Sequence, residues 1–450
     1  MESTINYADD VLIDSLNFKL NNSANYVTDR KTSTFFTSGS NIYQSGAGTR
    51  VARINLTSDG WLDPSTVRVV YTLVNTNGDV AKVLRPISGP WSFIRRARLL
   101  VRGAICDDID HYNRVHEMMQ ILTSNHHRDN SSIDGFGMRW DDTINYGNWG
   151  KELNKIPGGT DNNSRTVSFK PMFGLLNQHR YLPLTYAPLT FEFEFINDPT
   201  DAILGFMAGA TATNPIADNT STSWQIENVQ IVCDIVTLDS AMENNYAQHV
   251  LSGKALPITY SSYITQYQSV SGGEFHINIS RSATRLKSLF ISFDREHTTA
   301  NVNQLVHRSF NTFVHPMAGG DFMGGTYDRN EEVEWQIQIG SKLIPEFPVK
   351  SQSETFHHLK KSLGIHGSAF HSVSITPAQY INDHFIIGVD TEKVLEVGYS
   401  GMNTKNGDLL IVRVKGANTR LLPGWATAMY VVLHTEQVLE IRDVGPQVFD

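Results

Sequence analysis

The sequence predicts an all-β chain of two consecutive eight-stranded jelly-roll β-sandwiches with short helices. Short runs of alternating apolar and polar residues recur along it, broken by turn signals roughly every ten residues. Strands do not alternate with helices, which excludes a parallel α/β sheet and leaves sandwiches or barrels. Finally, 450 residues hold two such units of roughly 200 residues each once long loops are allowed.

Residues 1–40 read as an N-terminal arm, polar and almost without periodicity. The first roll is expected over 41–238. Val51, Ile54 and Leu56 mark a strand, and Val67 to Val74 is a β-branched run. Asn77-Gly78 reads as a tight hairpin turn, and Ala97 to Val101 as a strand ending at Gly103. An acidic turn, Asp107-Asp108-Ile109-Asp110, precedes a helix from His111 to Leu122, with Val115, Met118, Met119 and Leu122 on its apolar face. Residues 123–167 read as one long loop. Phe191-Glu192-Phe193-Glu194-Phe195 alternates strictly, aromatics on one sheet face and carboxylates on the other.

Trp224 to Gly253 joins the two units. Val229, Ile231, Cys233 and Ile235 alternate as a strand, and a capped helix follows over 239–253. Asp239 or Ser240 supplies the N-cap, Met242, Tyr246 and Val250 form a stripe, and Gly253 stands where a left-handed C-cap is needed. The second roll is expected over 254–450, with strands at Phe275 to Ile279, Leu286 to Phe293, Val333 to Ile339, Val394 to Tyr399, Leu409 to Val414 and Met429 to Leu433. A short helix falls near Ser353 to Leu363, and Asn406-Gly407 reads as a hairpin turn. Gly103, Glu117 and Leu122 match Gly340, Glu354 and Leu359 at one offset (340 − 103 = 237). At that offset the buried phase of the two strands disagrees, so duplication rests on the order of element types.

Composition narrows the function. A net charge of −9 argues against a dedicated nucleic-acid binder, while leaving room for a basic patch on one face. Cys106 and Cys233 form no spaced framework and read as buried free thiols from a reducing compartment. The acidic N-terminal stretch does not read as a secretory signal, and no apolar run is long enough to span a membrane.

The candidate sites each have a plainer reading. His116-Glu117-Met118-Met119-Gln120 begins like the helical zinc-protease motif but has Gln120 in place of the second histidine, so Glu117 reads as a surface or loop-anchoring carboxylate. His126-His127 and His357-His358 are adjacent pairs whose side chains diverge, and they read as solvated. Asp107, Asp108 and Asp110 lack the glycine and terminal glutamate of a calcium loop, and read as charge at a helix N-terminus. Glu192 and Glu194 read as a solvated sheet face. No nucleophile, base and orienter assemble, so no catalytic, cofactor-binding or metal residue is assigned and no cofactor is expected.

Gly60-Trp61-Leu62-Asp63-Pro64-Ser65-Thr66-Val67-Arg68, then Arg95-Arg96 with Asp108 to Arg114, and Phe173-Gly174-Leu175-Leu176 through Phe195 resemble the double jelly-roll major capsid proteins. The nearest resemblance is to those of Polinton/Maverick elements, polinton-like viruses and adintoviruses; virophage and giant-virus capsid proteins are more distant. The likeness is at motif level in the first half and architectural in the second, carried there by Phe275 to Phe293. It implies a non-enzymatic shell protein of a double-stranded DNA virus. Three copies would form a pseudo-hexameric capsomer, and capsomers would tile an icosahedral shell. Partners would be further copies, penton proteins, and minor or cement proteins, with no sequence-specific nucleic-acid binding. The implied location is the virion, assembled in host cytoplasm or nucleus. Apolar loop segments such as Phe206-Met207 and Phe322-Met323 would be buried between chains. The competing reading is a non-catalytic carbohydrate-binding or attachment protein built from two β-sandwiches.

Overall fold

A computed structural model describes residues 26–136, 155–203, 220–294, 313–317, 333–365, 373–393, 400–405, 409–417 and 426–449, apart from positions 49, 200 and 383. Strands of the first half, in chain order, are β1 (Val27–Phe36), β2 (Ile42–Gln44), β3 (Val51–Leu56), β4 (Trp61–Leu62), β5 (Arg68–Asn75), β6 (Val83–Leu84), β7 (Ile94–Val101) and β8 (Ala104–Asp110). Helices α1 (Tyr112–Ile121) and α2 (Asn125–Ser131) come next, then β9 (Ile156–Pro157), β10 (Ser164–Phe169), β11 (Leu182–Pro183), β12 (Leu189–Phe195) and β13 (Trp224–Leu238). Helix α3 (Ser240–Leu251) leads into β14 (Leu256–Ser269), β15 (Glu274–Ile279), β16 (Leu286–Asp294), β17 (Glu334–Ile339) and β18 (Lys342–Val349). The chain closes with α4 (Gln352–Ser362), α5 (Pro377–Asn382), β19 (Ile386–Asp390), β20 (Leu410–Lys415), β21 (Ala428–Ile441) and β22 (Gln447–Phe449).

All named strands pair antiparallel. In the first half, strands run β10-β5-β13 with β1 on the far edge of β13, opposite a sheet β3-β12-β7-β8. In the second half, they run β19-β16-β21-β14, opposite β15-β20-β17-β18. The two orders correspond strand for strand. Corresponding hairpins are β7–β8 and β17–β18, and both ends of their turns fix the offset at 238 (339 − 101 and 342 − 104). One residue therefore separates the structural register from the 237 suggested by Gly103 and Gly340. At 238, buried Ala97, Leu99 and Val101 fall on buried Trp335, Ile337 and Ile339, and the apparent disagreement of phase disappears. The glycines do not superpose because each turn puts its positive-φ residues in different places: Arg102 and Gly103 in one, Gly340 in the other.

Alternation generates the first core. Phe191, Phe193 and Phe195 are buried, while Glu192 and Glu194 lie on the other face, where Glu192 meets Arg53 (3.3 Å) and Arg98 (2.8 Å). Phe173 packs on Phe191 and Phe193 (centroids 5.8 and 6.1 Å), and Trp224 closes edge-on against Phe93 at 5.1 Å. Within β13 the buried parity changes from Trp224 and Ile226 to Val229, Ile231, Cys233 and Ile235. A bulge at Asn228, φ 53°, inserts the residue that shifts it. Both cysteines are buried and free.

Several expectations need correction. Val27–Phe36, assigned to the arm, is a ten-residue strand on the edge of β13; its sequence is polar on both sides because almost none of it is covered. Asn77-Gly78 does not close a hairpin. Both edges of β5 are already taken, by β10 and β13, so the chain turns away to β6, which pairs with β9. The stretch 123–167, expected to be one loop, contains α2, β9 and most of β10. Val394 to Tyr399, Asn406-Gly407, Phe206-Met207 and Phe322-Met323 lie outside the described residues.

The joining helix forms as its caps require. Asp239, not Ser240, accepts from the Ala241 N–H (3.1 Å), and Gly253 adopts φ +81°. Tyr246 packs on Trp61 (4.8 Å) and Val250 is buried, which fixes the helix to the first roll. A Cβ at Gly253 meets no atom within 4 Å, so a substitution there acts through backbone strain alone. Gly253→Val should lower unfolding stability by about 1–2 kcal/mol, and Gly253→Asn by clearly less, in equilibrium denaturation. Equal costs for both would contradict the left-handed cap.

Candidate assembly surface at the joint between the rolls

The two rolls meet along β8, the edge of one first-roll sheet. A strand with one buried face should alternate, yet Cys106 and Asp107 are both buried. The reason is a register shift against β7, together with cover from both sides: the core on one, β14 of the second roll on the other. Ser262 donates to the Asp107 carboxylate (2.6 Å), and the Tyr260 hydroxyl lies 3.0 Å from the Cys106 carbonyl oxygen. The Leu175 N–H also reaches Asp107 (3.3 Å). Burial pushes the Asp107 carboxyl up to about 6, against the opposing pull of Ser262 and the Leu175 and Gly174 N–H groups.

Gly174 makes this approach possible. A Cβ there would lie 1.4 Å from the Ser261 carbonyl oxygen, so any side chain forces β14 away. Arg114, on α1, crosses the joint with its side chain 3% exposed. Its guanidinium meets Asp294 (3.2 Å), donates to the Phe293 carbonyl (2.8 Å), and lies over the rings of Tyr430 (4.3 Å) and Phe313 (4.8 Å). His111 packs against Tyr267 and Tyr430 (5.8 and 5.0 Å); burial, then Arg95, lower its pKa to about 4. At the rim, Arg180 donates to the Pro257 carbonyl (2.7 Å) and Arg102 to that of Asp443 (3.2 Å).

The residues weighed from sequence are distributed as follows. Asp107, Asp108 and Asp110 belong to β8, not to a helix N-terminus, and the first turn of α1 carries no acid. Asp108 pairs with Arg96 (2.6 Å) and Asp110 with Arg95, across the β7–β8 ladder. Glu117 is buried and anchors a loop: it accepts from Ser88, from Trp91 Nε1 (3.0 Å) and from Arg128 (3.1 Å). His126 and His127 are exposed on α2; His357 is exposed on α4, and His358 lies beside Trp335. Among the described residues no group of three or more His, Cys, Asp or Glu is arranged to hold a metal ion. Sequence reading passed over Arg114. Its signal was available: at i−4 to Met118, it places a charge inside the buried stripe of α1.

Two predictions follow from this chemistry. Arg114→Met leaves Asp294 buried without its cation, and Gly174→Ala drives a methyl into backbone; each should cost about 3–5 kcal/mol in denaturation. Wild-type stability in both variants would refute the joint as a rigid contact. The second concerns pH. Burial first, then Lys287, lower His434 to about 4, and burial lowers His116 to about 3. With His111 they stay neutral in the fold while the unfolded chain binds protons below its ordinary value of about 6.5. Stability is thus complete above that value and lost as pH falls toward 4, opposed among the described residues by Asp107, whose raised pKa works in the other direction. Melting temperature should fall steadily from pH 7 to pH 4.5; a flat profile would contradict these burials.

No protein-family model and no curated protein matches the sequence. Solved structures do match in fold. A chain of the PBCV-1 virus capsid gives a TM-score of 0.58 at 13% identity, covering 95% of this chain and 98% of that one. The Faustovirus major capsid protein gives 0.56 at 7% identity, covering 95% and 93%. A chain of the Sputnik virophage structure gives 0.56 at 10% identity, covering 97% and 92%. Across nearly its whole length, this chain has the fold of these virus-capsid structures, two jelly rolls in tandem.

Proposed function

We propose that the chain is the major capsid protein of a double-stranded DNA virus, a non-catalytic building block whose copies associate as trimers and then tile a shell. One observation carries this reading: the two rolls share a strand order, but only one of the two equivalent edges is covered. In the first roll, β8 is packed by β14 of the second. Its counterpart in the second roll is β18, whose Leu343 and Phe347 are 41% and 77% exposed. The counterpart of β14 is β1, exposed along most of its length and ending in Phe36, 67% exposed. An open surface of one kind and its complement therefore sit on the same chain. That is the requirement for head-to-tail association of identical copies, and with two rolls per copy three copies complete a ring of six.

The boundaries 41–238 and 254–450, linked by 239–253, are the units of that ring, with β1 added to the first as its exposed edge. Asp107, Asp108, Asp110, Glu117 and Glu192 are committed to structural bonds, which supports assembly over catalysis. The likeness to capsid structures supports a place in the virion. Penton and minor capsid proteins are the expected further partners.

The test is oligomeric state. The purified chain should sediment as a trimer and look hexagonal in negative stain. Truncating the exposed contact in Phe347→Ser with Leu343→Ser should weaken association by about 2 kcal/mol or more without altering the circular dichroism of the fold. A stable wild-type monomer, or unchanged trimer yield in the double variant, would sink the proposal.

A further inference from the structure

A cavity of about 390 Å³ opens in the first roll between the Pro90–Phe93 turn, α1, α2 and the chain that leaves β10. Its volume is that of a small-molecule site. Trp91, Phe169, Met119 and Met172 supply apolar walls, and the Trp91 indole stacks on the His116 imidazole at 4.1 Å. The charged groups around it do not balance. Arg68, Arg128 and Lys170 face Glu117 and Asp134, three cations to two carboxylates, a surplus of one positive charge with histidine neutral. Both carboxylates are engaged, Glu117 by Arg128 and Asp134 by Arg68 (2.7 Å). Lys170, half-buried, has no ion pair among the described residues; burial, then the neighbouring Arg68, lower its pKa. His116 is 3% exposed and lies sealed against Trp91.

We infer that this cavity binds a small organic monoanion, a carboxylate carried on an aromatic ring or short acyl chain. The anionic oxygens accept from Lys170 Nζ. The body lies against Trp91 and Phe169. A bare inorganic anion satisfies the cations but leaves the apolar walls unfilled, so it binds more weakly. Neither the joint nor the open edges of the rolls are involved, so this site is independent of the assembly proposal.

Calorimetric titration of the full chain with benzoate, hexanoate and inorganic phosphate tests the inference. Benzoate and hexanoate should each bind once per chain with dissociation constants of about 1 mM or lower, and phosphate at least about tenfold more weakly. Lys170→Met keeps the apolar stem and removes the charge; it should weaken benzoate about tenfold or more. Absence of saturable uptake of both carboxylates, wild-type affinity in Lys170→Met, or phosphate binding as tightly as benzoate (an adventitious anion only) would each overturn it.

Discussion

The guanidinium of Arg114 is the constraint on which the two-roll architecture turns. A cation removed from water is tolerated only where its surroundings replace that water, and here the other roll supplies Asp294, the Phe293 carbonyl, and the faces of Tyr430 and Phe313. Neither roll can adopt its observed surface alone without exposing part of this arrangement. The joint is therefore less like a flexible contact between domains than like the interior of one domain. The buried apolar side chains of both halves accordingly form a single contiguous cluster.

Close approach follows from the same demand. For Arg114 to reach Asp294, β8 and β14 must lie near enough that Gly174 touches the Ser261 carbonyl oxygen. Asp107 then finds itself enclosed, and its hydrogen bond from Ser262 is what makes an enclosed carboxylate tolerable. The short linking helix contributes by restricting where β14 can begin. Capped by Asp239 at one end and Gly253 at the other, and held by Tyr246 on Trp61, it delivers the chain to β14 in one place.

Much of this was legible in the sequence, and what was not has physical causes. The Phe-Glu alternation of β12, the β-branched run of β5 and the capped linking helix were readable because a single sheet face or helix stripe dictated them. Elements governed by two neighbours were not. β1 carries no alternation because it is a strand with nearly both faces in solvent, and β8 loses its alternation at Cys106-Asp107, where a register shift and the cover of β14 bury both. The Asn77-Gly78 signal misled because turn chemistry is local, whereas the edges of β5 were occupied by strands far away in sequence. Glu117 was read as a possible anchor, but its partners come from two other segments, Ser88 and Trp91 from one turn and Arg128 from α2. Arg114 was passed over for the same reason: its partners Phe293, Asp294, Phe313 and Tyr430 all lie far along the chain, in the other roll.

The difference between the equivalent edges also limits how copies can meet. An exposed edge strand invites uncontrolled sheet extension, because its free N–H and C=O groups accept any partner strand. β18 carries Pro345 and Pro348, which have no N–H to donate, and it bends through a register shift against β17. Backbone pairing along it is thereby blocked, while Leu343 and Phe347 remain outward. The joint within the chain works in the same way, since β8 and β14 touch through side chains and lie in different sheets. Contact through side chains has a defined geometry and saturates once its complement is reached, whereas a ladder can grow without limit. The assembly proposed above would need the first kind of contact, and β18 has the features that supply it.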